Sequence, residues 1–141
     1  MSIADRWLAY ADAFEESLED DDWSRIEPYF TEDAVYESGQ DVARGRAAVL
    51  ARFRSGVDGF DRRMDRRTPE FETPRAEGDT VRVGWKVTYT KKGAPDLVIS
   101  GTEVARFAGD RIQHLADVFD PAAAETMHKW MTAHGALLQP A

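Results

Sequence analysis

An aspartate near the C-terminal end is the first residue whose setting points to chemistry. Asp117 lies in the segment His114–Asp120, which has the composition of a β-strand. Side chains along a strand alternate between two faces, so Leu115, Asp117 and Phe119 share one face. If that face lines a pocket, the carboxylate is desolvated, its pKa rises, and it becomes a better general base near neutral pH. The alternative is a structural aspartate, paired with a neighbouring strand or a helix end.

A second candidate group lies in the alternating segment Arg82–Thr90. Lys86 and Thr88 share one face, and the other face carries apolar and aromatic residues: Val83, Trp85, Val87 and Tyr89. If the polar face lines the pocket, Lys86 can pair with Asp117 and orient it. The alternative is an ordinary half-exposed strand with its polar face in water, so that the aromatic face lines either the pocket or a dimer interface.

No residue set in the sequence indicates a metal or an organic cofactor. The chain has no cysteine, which excludes disulfides and thiolate chemistry. The three histidines, His114, His128 and His134, are not spaced with carboxylates in a metal-ligand pattern. The glycines are isolated and form neither a phosphate loop nor a dinucleotide-binding fingerprint. We therefore expect no metal and no cofactor.

Length and charge limit the possible partners. The 141 residues suit a single domain, 1–141. With 18 Lys and Arg against 26 Asp and Glu, the net charge of −8 argues against nucleic acid and against an anionic membrane surface. The basic run Arg62–Arg67 is expected to form ion pairs at a strand edge. The sequence shows neither a membrane-length apolar run nor a signal peptide, so a cytoplasmic location is expected.

Helices are predicted at the start, in the middle and at the end of the chain. Apolar residues three and four apart predict helices from Ile3 to Leu18 and from Arg46 to about Gly59. Asp22 is a candidate N-cap for a short helix reaching Phe30. The segment from Pro121 to His134 has the pattern of a last helix.

Strands are predicted between those helices. Ala34–Glu37 forms a short first strand, and four further segments are separated by turn residues: Arg62–Thr73, Thr80–Thr90, Leu97–Phe107 and Arg111–Phe119. Connections this short require antiparallel neighbours. We therefore predict an α+β fold, in which helices pack against one curved, mainly antiparallel sheet.

Three short phrases and their order resemble a known superfamily. They are Trp23 followed by Tyr29–Glu37, then Gly45–Leu50, and finally Gly109–Ile112. Over about residues 5–135 the chain resembles the nuclear transport factor 2-like (NTF2-like) superfamily, and specifically its SnoaL-like polyketide cyclase branch. The resemblance implies a cone-shaped α+β barrel whose bent sheet surrounds a deep, largely apolar pocket. It also implies a homodimer formed through the outer face of the sheet, to which Trp85, Val87 and Tyr89 are candidate contributors.

Enzymes within the superfamily suggest roles for particular residues. The stretch Ala116–Asp120 is similar to limonene epoxide hydrolase, whose corresponding aspartate activates water, which implies a base role for Asp117. Lys86 and Thr88 stand where the epoxide hydrolases have an arginine and an aspartate. A lysine lacks the planar fork of arginine and a threonine cannot protonate an epoxide, so epoxide hydrolysis is not the expected reaction.

Ketosteroid isomerase offers another comparison. Its tyrosine, its base aspartate and its second carboxylic acid correspond by spacing to Phe14, Ser38 and Glu103. Only Glu103 keeps the required chemical type, so that isomerisation mechanism is not expected. Glu103 is either a second pocket carboxyl beside Asp117 or one half of a cross-strand ion pair.

The sequence leaves two functions open. The first is a cofactor-independent enzyme that cyclises, isomerises or hydrates a small apolar molecule, with Asp117 as the base and Lys86 or Glu103 assisting. The second is a ligand-binding or dimeric assembly module of the same fold without turnover. Expected ligand contacts come from six side chains: Phe14, Tyr36, Phe53, Thr88, Leu115 and Phe119.

Overall fold

The first helix presents an aromatic face to the interior. The computed structural model describes residues 1–139, and α1 spans Ile3–Asp20. Ser2 caps this helix, because its hydroxyl accepts a hydrogen bond from the Asp5 backbone N–H at 3.1 Å. Trp7 and Tyr10 are buried on the inner face of α1. The prediction of a helix with one apolar stripe is therefore confirmed.

A short 3-10 helix replaces the predicted second α-helix. It spans Trp23–Tyr29, and the Asp22 carboxylate caps it by accepting from the Ser24 backbone N–H at 3.2 Å. Phe30 belongs to the following strand and not to this helix. Pro28 explains the early end, because it has no backbone N–H with which to continue a helical ladder.

Among the described residues, seven strands form one sheet. Their bounds are β1 Phe30–Ser38, β2 Asp41–Arg44, β3 Arg66–Phe71, β4 Arg75–Glu77, β5 Thr80–Thr90, β6 Leu97–Ala108 and β7 Arg111–Phe119. The order is β2-β1-β7-β6-β5-β3. β3 pairs with the second half of β5, and the short strand β4 pairs with the first residues of β5. The sheet is strongly bent and not closed. All pairings are antiparallel except that of β1 with β7, which is parallel.

The predicted strands differ from the structure mainly at the two edges of the sheet. β1 is longer than predicted, and the edge strand β2 was not predicted. The predicted strand Arg62–Thr73 begins only at Arg66, because residues Asp61–Arg63 form a 3-10 turn. The long central strands β5, β6 and β7 agree with the predicted segments, since alternation and turn residues mark them clearly.

The remaining helices, α2 Arg46–Gly59 and α3 Ala123–His134, pack with α1 on the concave face of the sheet. One apolar cluster lies under α1 and α2, and a smaller one lies under α3 around Trp130. No helix among residues 1–139 is long and apolar enough to cross a membrane.

The aromatic face of β5 belongs to this interior. Val87 and Tyr89 are buried in the cluster under α3, with Trp85 packed against it. The suggestion that these three side chains form a dimer surface is therefore wrong, because the alternation of β5 turns them inward. The homodimer itself stays a prediction.

Candidate functional site

A cavity of about 340 Å³ lies between the concave face of the sheet and the three helices. Side chains from α1, α2, α3 and five of the strands line it, and most of them are apolar or aromatic. Its polar side chains fall mainly into two groups. One group is built on β6 and β7, and the other joins α1 to β3.

The first group, which we call the carboxyl pair, consists of Glu103 and Asp117. Glu103 on β6 stands directly opposite Asp117 on β7 in the antiparallel register. Both side chains line the cavity. Two acidic side chains on one cross-strand pair repel each other when both are ionised, so this arrangement favours a state with one shared proton.

Each member of the carboxyl pair has its own hydrogen-bond donor. The indole Nε1 of Trp7 donates to Oε1 of Glu103 at 3.0 Å, and the hydroxyl of Tyr36 donates to Oδ2 of Asp117 at 2.6 Å. Trp7 is only 1% exposed, and Tyr36 is also buried. These donors come from α1 and β1, so elements distant in sequence hold the two carboxyl groups in place.

Burial raises the pKa of two groups at this site, Glu103 and Tyr36. Desolvation, the negative charge of Asp117 and a hydrogen bond between the two carboxyl groups raise the pKa of Glu103 well above 4.5, and the Trp7 bond opposes them only in part. Desolvation and the charge of Asp117 also raise the pKa of Tyr36, so its hydroxyl remains a donor. The pair can therefore offer an acid at Glu103 and a base at Asp117.

The second group, which we call the arginine cluster, consists of Glu15, Asp61 and Arg67. The Arg67 Nη1 atom lies 2.5 Å from Glu15 Oε1, and its Nε atom lies 2.9 Å from Asp61 Oδ2. The Arg67 and Asp61 side chains are only 14% and 17% exposed. Burial raises the pKa of Asp61, and the charge of Arg67 opposes that shift. The Tyr89 hydroxyl donates to Asp61 Oδ2 at 3.5 Å.

Most of the site residues expected from the sequence line this cavity. Asp117, Leu115 and Phe119 share one face of β7, as alternation predicted. Glu103 also lines the cavity, as do the expected contact residues Phe14, Tyr36 and Phe53. Their roles in binding or catalysis stay predictions.

Lys86 and Thr88 are the exceptions. The Lys86 side chain is 52% exposed, and its Nζ lies 3.5 Å from Glu70 Oε2 on β3. Neither Lys86 nor Thr88 lines the cavity. The predicted pairing of Lys86 with Asp117 is therefore wrong: β5 presents Trp85 and Val87 to the cavity, and alternation places Lys86 on the opposite face.

Trp7 and Arg67 are cavity residues that sequence reasoning did not select. Trp7 was part of an ordinary helical apolar stripe, and nothing in that stripe indicated a polar partner on β6. Arg67 belongs to the basic run that the sequence places at a solvated strand edge. Arg67 stands directly opposite Tyr89 of β5 in the antiparallel register, so the two side chains share the inner face of the sheet. That pairing is the signal that distinguishes Arg67 from the rest of the run. Among residues 1–139, no group of three or more His, Cys, Asp or Glu side chains could hold a metal ion.

Comparison with known families identifies the domain type. The model of the SnoaL-like domain family matches residues 9–115, which is more than half of the chain. The chain belongs to the SnoaL-like domain family. The matched part includes most of α1 and runs to Leu115 on β7, so it contains Glu103 and stops just before Asp117.

Solved structures agree with the fold of this SnoaL-like domain. An NTF2-like protein of unknown function from Exiguobacterium sp. 255-15 is 21% identical, with a TM-score of 0.66, and the match covers 85% of this chain and 99% of that protein. A putative SnoaL-like polyketide cyclase from Shewanella denitrificans OS-217 is 15% identical, with a TM-score of 0.67 and coverages of 90% and 97%.

A third similar structure was determined with a small molecule. TerC, co-crystallised with polyporic acid, is 14% identical, with a TM-score of 0.69 and coverages of 93% and 99%. At these identities the likeness concerns the fold. No curated protein sequence matches this SnoaL-like domain significantly.

Proposed function

We propose that this SnoaL-like domain binds a small, mostly apolar molecule in its cavity and transfers a proton on that molecule without a cofactor. The observation that carries the proposal is the carboxyl pair, which lies in an apolar cavity with a separate donor on each carboxyl group. Acidic side chains that line an apolar cavity are uncommon unless they are paired or functional. The fold and the TerC complex support a small molecule as the ligand.

The base in this proposal is Asp117. In an isomerisation or cyclisation, a C–H bond beside a carbonyl breaks, its proton goes to Asp117, and its electron pair moves towards the carbonyl oxygen. Glu103, which is held protonated, donates a hydrogen bond or its proton to that oxygen. In a hydration of a C=C bond conjugated with the carbonyl, Asp117 instead takes a proton from the water molecule whose oxygen bonds to the far carbon of the C=C bond. The π electron pair moves to the carbonyl oxygen, which takes the proton of Glu103.

Tyr36 and Trp7 position the two acidic groups. The Tyr36 hydroxyl donates to Oδ2 of Asp117. The hydrogen bond between the two carboxyl groups opens when a ligand enters, so that Asp117 can accept a proton from the ligand and Glu103 can donate to its carbonyl oxygen. The Trp7 indole occupies Oε1 of Glu103, so the proton of Glu103 resides on Oε2. The apolar wall excludes water from the site and strengthens these electrostatic effects.

The experiment uses solvent deuterium, because exchange detects proton removal before any product is known. The protein is incubated in D₂O with a panel of small cyclic ketones, and deuterium entering carbon positions beside the carbonyl is followed by NMR. For a ketone that the wild type exchanges, Asp117→Asn should lower the rate about 10²–10⁴-fold, the usual contribution of a general base. Binding of the ketone should survive.

Asp120→Asn is the matched control, because it makes the same chemical change three residues away. Asp120 is exposed and accepts a hydrogen bond from the Ser100 hydroxyl at 2.6 Å, outside the cavity lining. This variant should exchange the ketone at the wild-type rate. Equal rates for wild type and Asp117→Asn would remove Asp117 as the base, and bound ketones without exchange would favour the non-catalytic binding module.

A further inference from the structure

The arginine cluster brings more negative than positive charge to the cavity wall. Arg67 has one positive charge, and it lies within 3 Å of a carboxylate on either side, Glu15 and Asp61. These two carboxylates therefore compensate its charge, although its buried Nε makes no hydrogen bond of good geometry. The cluster as a whole has a net charge of −1 while both carboxylates are ionised.

The other cationic side chain of the cavity wall is also occupied. Arg52 on α2 lines the cavity, and its Nη2 lies 3.2 Å from Asp41 Oδ2 on β2. Among residues 1–139, the cavity lining contains no lysine and no arginine other than Arg52 and Arg67. An anion entering this space would meet no guanidinium that is free of a carboxylate.

The carboxyl pair adds to the same negative field. With one shared proton it contributes a further charge of −1, and with none it contributes −2. These charges line a largely apolar cavity, where an interaction at several ångströms is screened less than in bulk water. The net charge of −8 on the whole chain acts in the same direction at longer range.

We propose that the cavity selects ligands by charge: it accepts an apolar body with an uncharged or cationic polar end and rejects a carboxylate end. The negative charges of the arginine cluster and the carboxyl pair act together on the ligand. The cavity offers an anionic ligand no cationic side chain that is free of a carboxylate partner. This inference rests on the proposed small-molecule binding and narrows its ligand class.

The test compares three probes with the same body. Naphthalene with a hydroxymethyl, an aminomethyl or a carboxymethyl group at the same ring carbon is titrated into the protein by calorimetry. Shifts of the backbone amide signals of lining residues such as Trp85 and Leu115 show that a probe occupies the cavity. The alcohol and the amine should each bind at least about tenfold more tightly than the carboxylate, the effect expected for like charges in a poorly screened site.

Removing a negative charge from the arginine cluster tests whether the cluster causes the selectivity. Asp61→Asn removes one negative charge and should reduce the ratio between the alcohol and the carboxylate by about threefold or more. Glu15→Gln, whose side chain is more exposed, should act in the same direction and replaces Asp61→Asn if that variant does not fold. The matched control is Asp12→Asn on the exposed side of α1, which should leave the ratio unchanged.

Each outcome decides a different point. A carboxylate probe that binds as tightly as the alcohol overturns the charge selection and leaves small-molecule binding in place. If none of the three probes binds in the cavity, both the charge selection and the proposed binding function fail. A ratio that Asp12→Asn changes as much as Asp61→Asn does would also overturn the assignment to the arginine cluster.

Discussion

The carboxyl pair and the arginine cluster lie in the same cavity but hold their buried charges differently. In the arginine cluster, a guanidinium lies between two carboxylates and compensates part of their desolvation. In the carboxyl pair, two acids face each other, and their hydrogen-bond donors are the uncharged indole of Trp7 and hydroxyl of Tyr36. A buried acid without a cation is held in its protonated form more readily than one beside an arginine.

This difference suggests different tasks. A compensated cluster ties elements together: Glu15, Asp61 and Arg67 join α1, the turn before β3, and β3 itself. The proposed function requires the uncompensated pair to hold a proton that can move to and from a ligand. Three substitutions test this contrast.

The largest effect is expected from Arg67→Met. The substitution leaves Glu15 and Asp61 in a largely buried site without their cation, and breaking such a network typically lowers the free energy of unfolding by about 3–5 kcal/mol. Urea unfolding followed by circular dichroism measures the loss. Arg66→Met is the control, because Arg66 is an exposed neighbour on β3 and should change stability by less than about 0.5 kcal/mol. Equal losses from both variants would show that the cluster stabilises nothing.

A smaller loss is expected from Trp7→Phe. Phenylalanine keeps an aromatic ring against Phe71, whose centroid lies 5.4 Å from that of Trp7, but removes the hydrogen bond to Glu103. The unfolding free energy should fall by about 1–3 kcal/mol. The pKa of Glu103 should also rise further, since the Trp7 bond lowers it. Carbon-13 NMR titration of the glutamate carboxyl groups measures that shift.

Trp23→Phe provides the matched control for this variant. It removes another buried indole, whose Nε1 donates to Asp21 Oδ1 at 2.8 Å and not to the carboxyl pair. It should lower stability while the Glu103 titration stays at its wild-type position. A Glu103 titration that Trp7→Phe does not move would show that Trp7 is only a packing residue.

The effect of Glu103→Gln should depend on pH. Because the folded-state pKa of Glu103 lies above its unfolded value near 4.5, the folded protein binds more protons than the unfolded chain between those two values. Wild-type stability from this residue is therefore fully present below pH 4.5 and is lost as pH rises through the folded pKa, by about 1.4 kcal/mol per unit of difference.

The glutamine variant lacks that titration and should gain stability relative to wild type as pH rises from 4.5 to 8. Unfolding in urea at several pH values measures the difference between the two proteins. Glu125→Gln, on the exposed side of α3, is the control and should show no such trend. A difference that stays constant with pH would mean that Glu103 titrates normally in the folded protein.

Much of the fold could be predicted from local patterns. The long strands β5, β6 and β7 are rich in strand-forming residues and are bounded by turn residues, and α1 carries a helical apolar stripe. Both could therefore be placed without tertiary information. The short edge strands β2 and β4 could not, because three or four residues contain too little pattern to distinguish a strand from a loop. The parallel pairing of β1 with β7 joins segments that are distant in sequence.

The residues of the candidate site could likewise be predicted only in part. Alternation placed Leu115, Asp117 and Phe119 on one face of β7, and the structure has all three on the cavity. It could not say which face of β5 points inward, because Lys86 and Trp85 lie on opposite faces and both faces suited a pocket.

The sequence alone determined which chemical groups this protein has. It is an acidic SnoaL-like chain without cysteine, and two of its predicted strands carry Glu103 and Asp117. Only the tertiary structure decided which residues meet. The bend and register of the sheet place Glu103 opposite Asp117, and the packing of α1 brings Trp7 to the pair. The same packing changes Arg67 from a residue of a basic run into part of the cavity wall. The physical reason is that protonation and binding depend on burial and on neighbours within a few ångströms, which residue order does not specify.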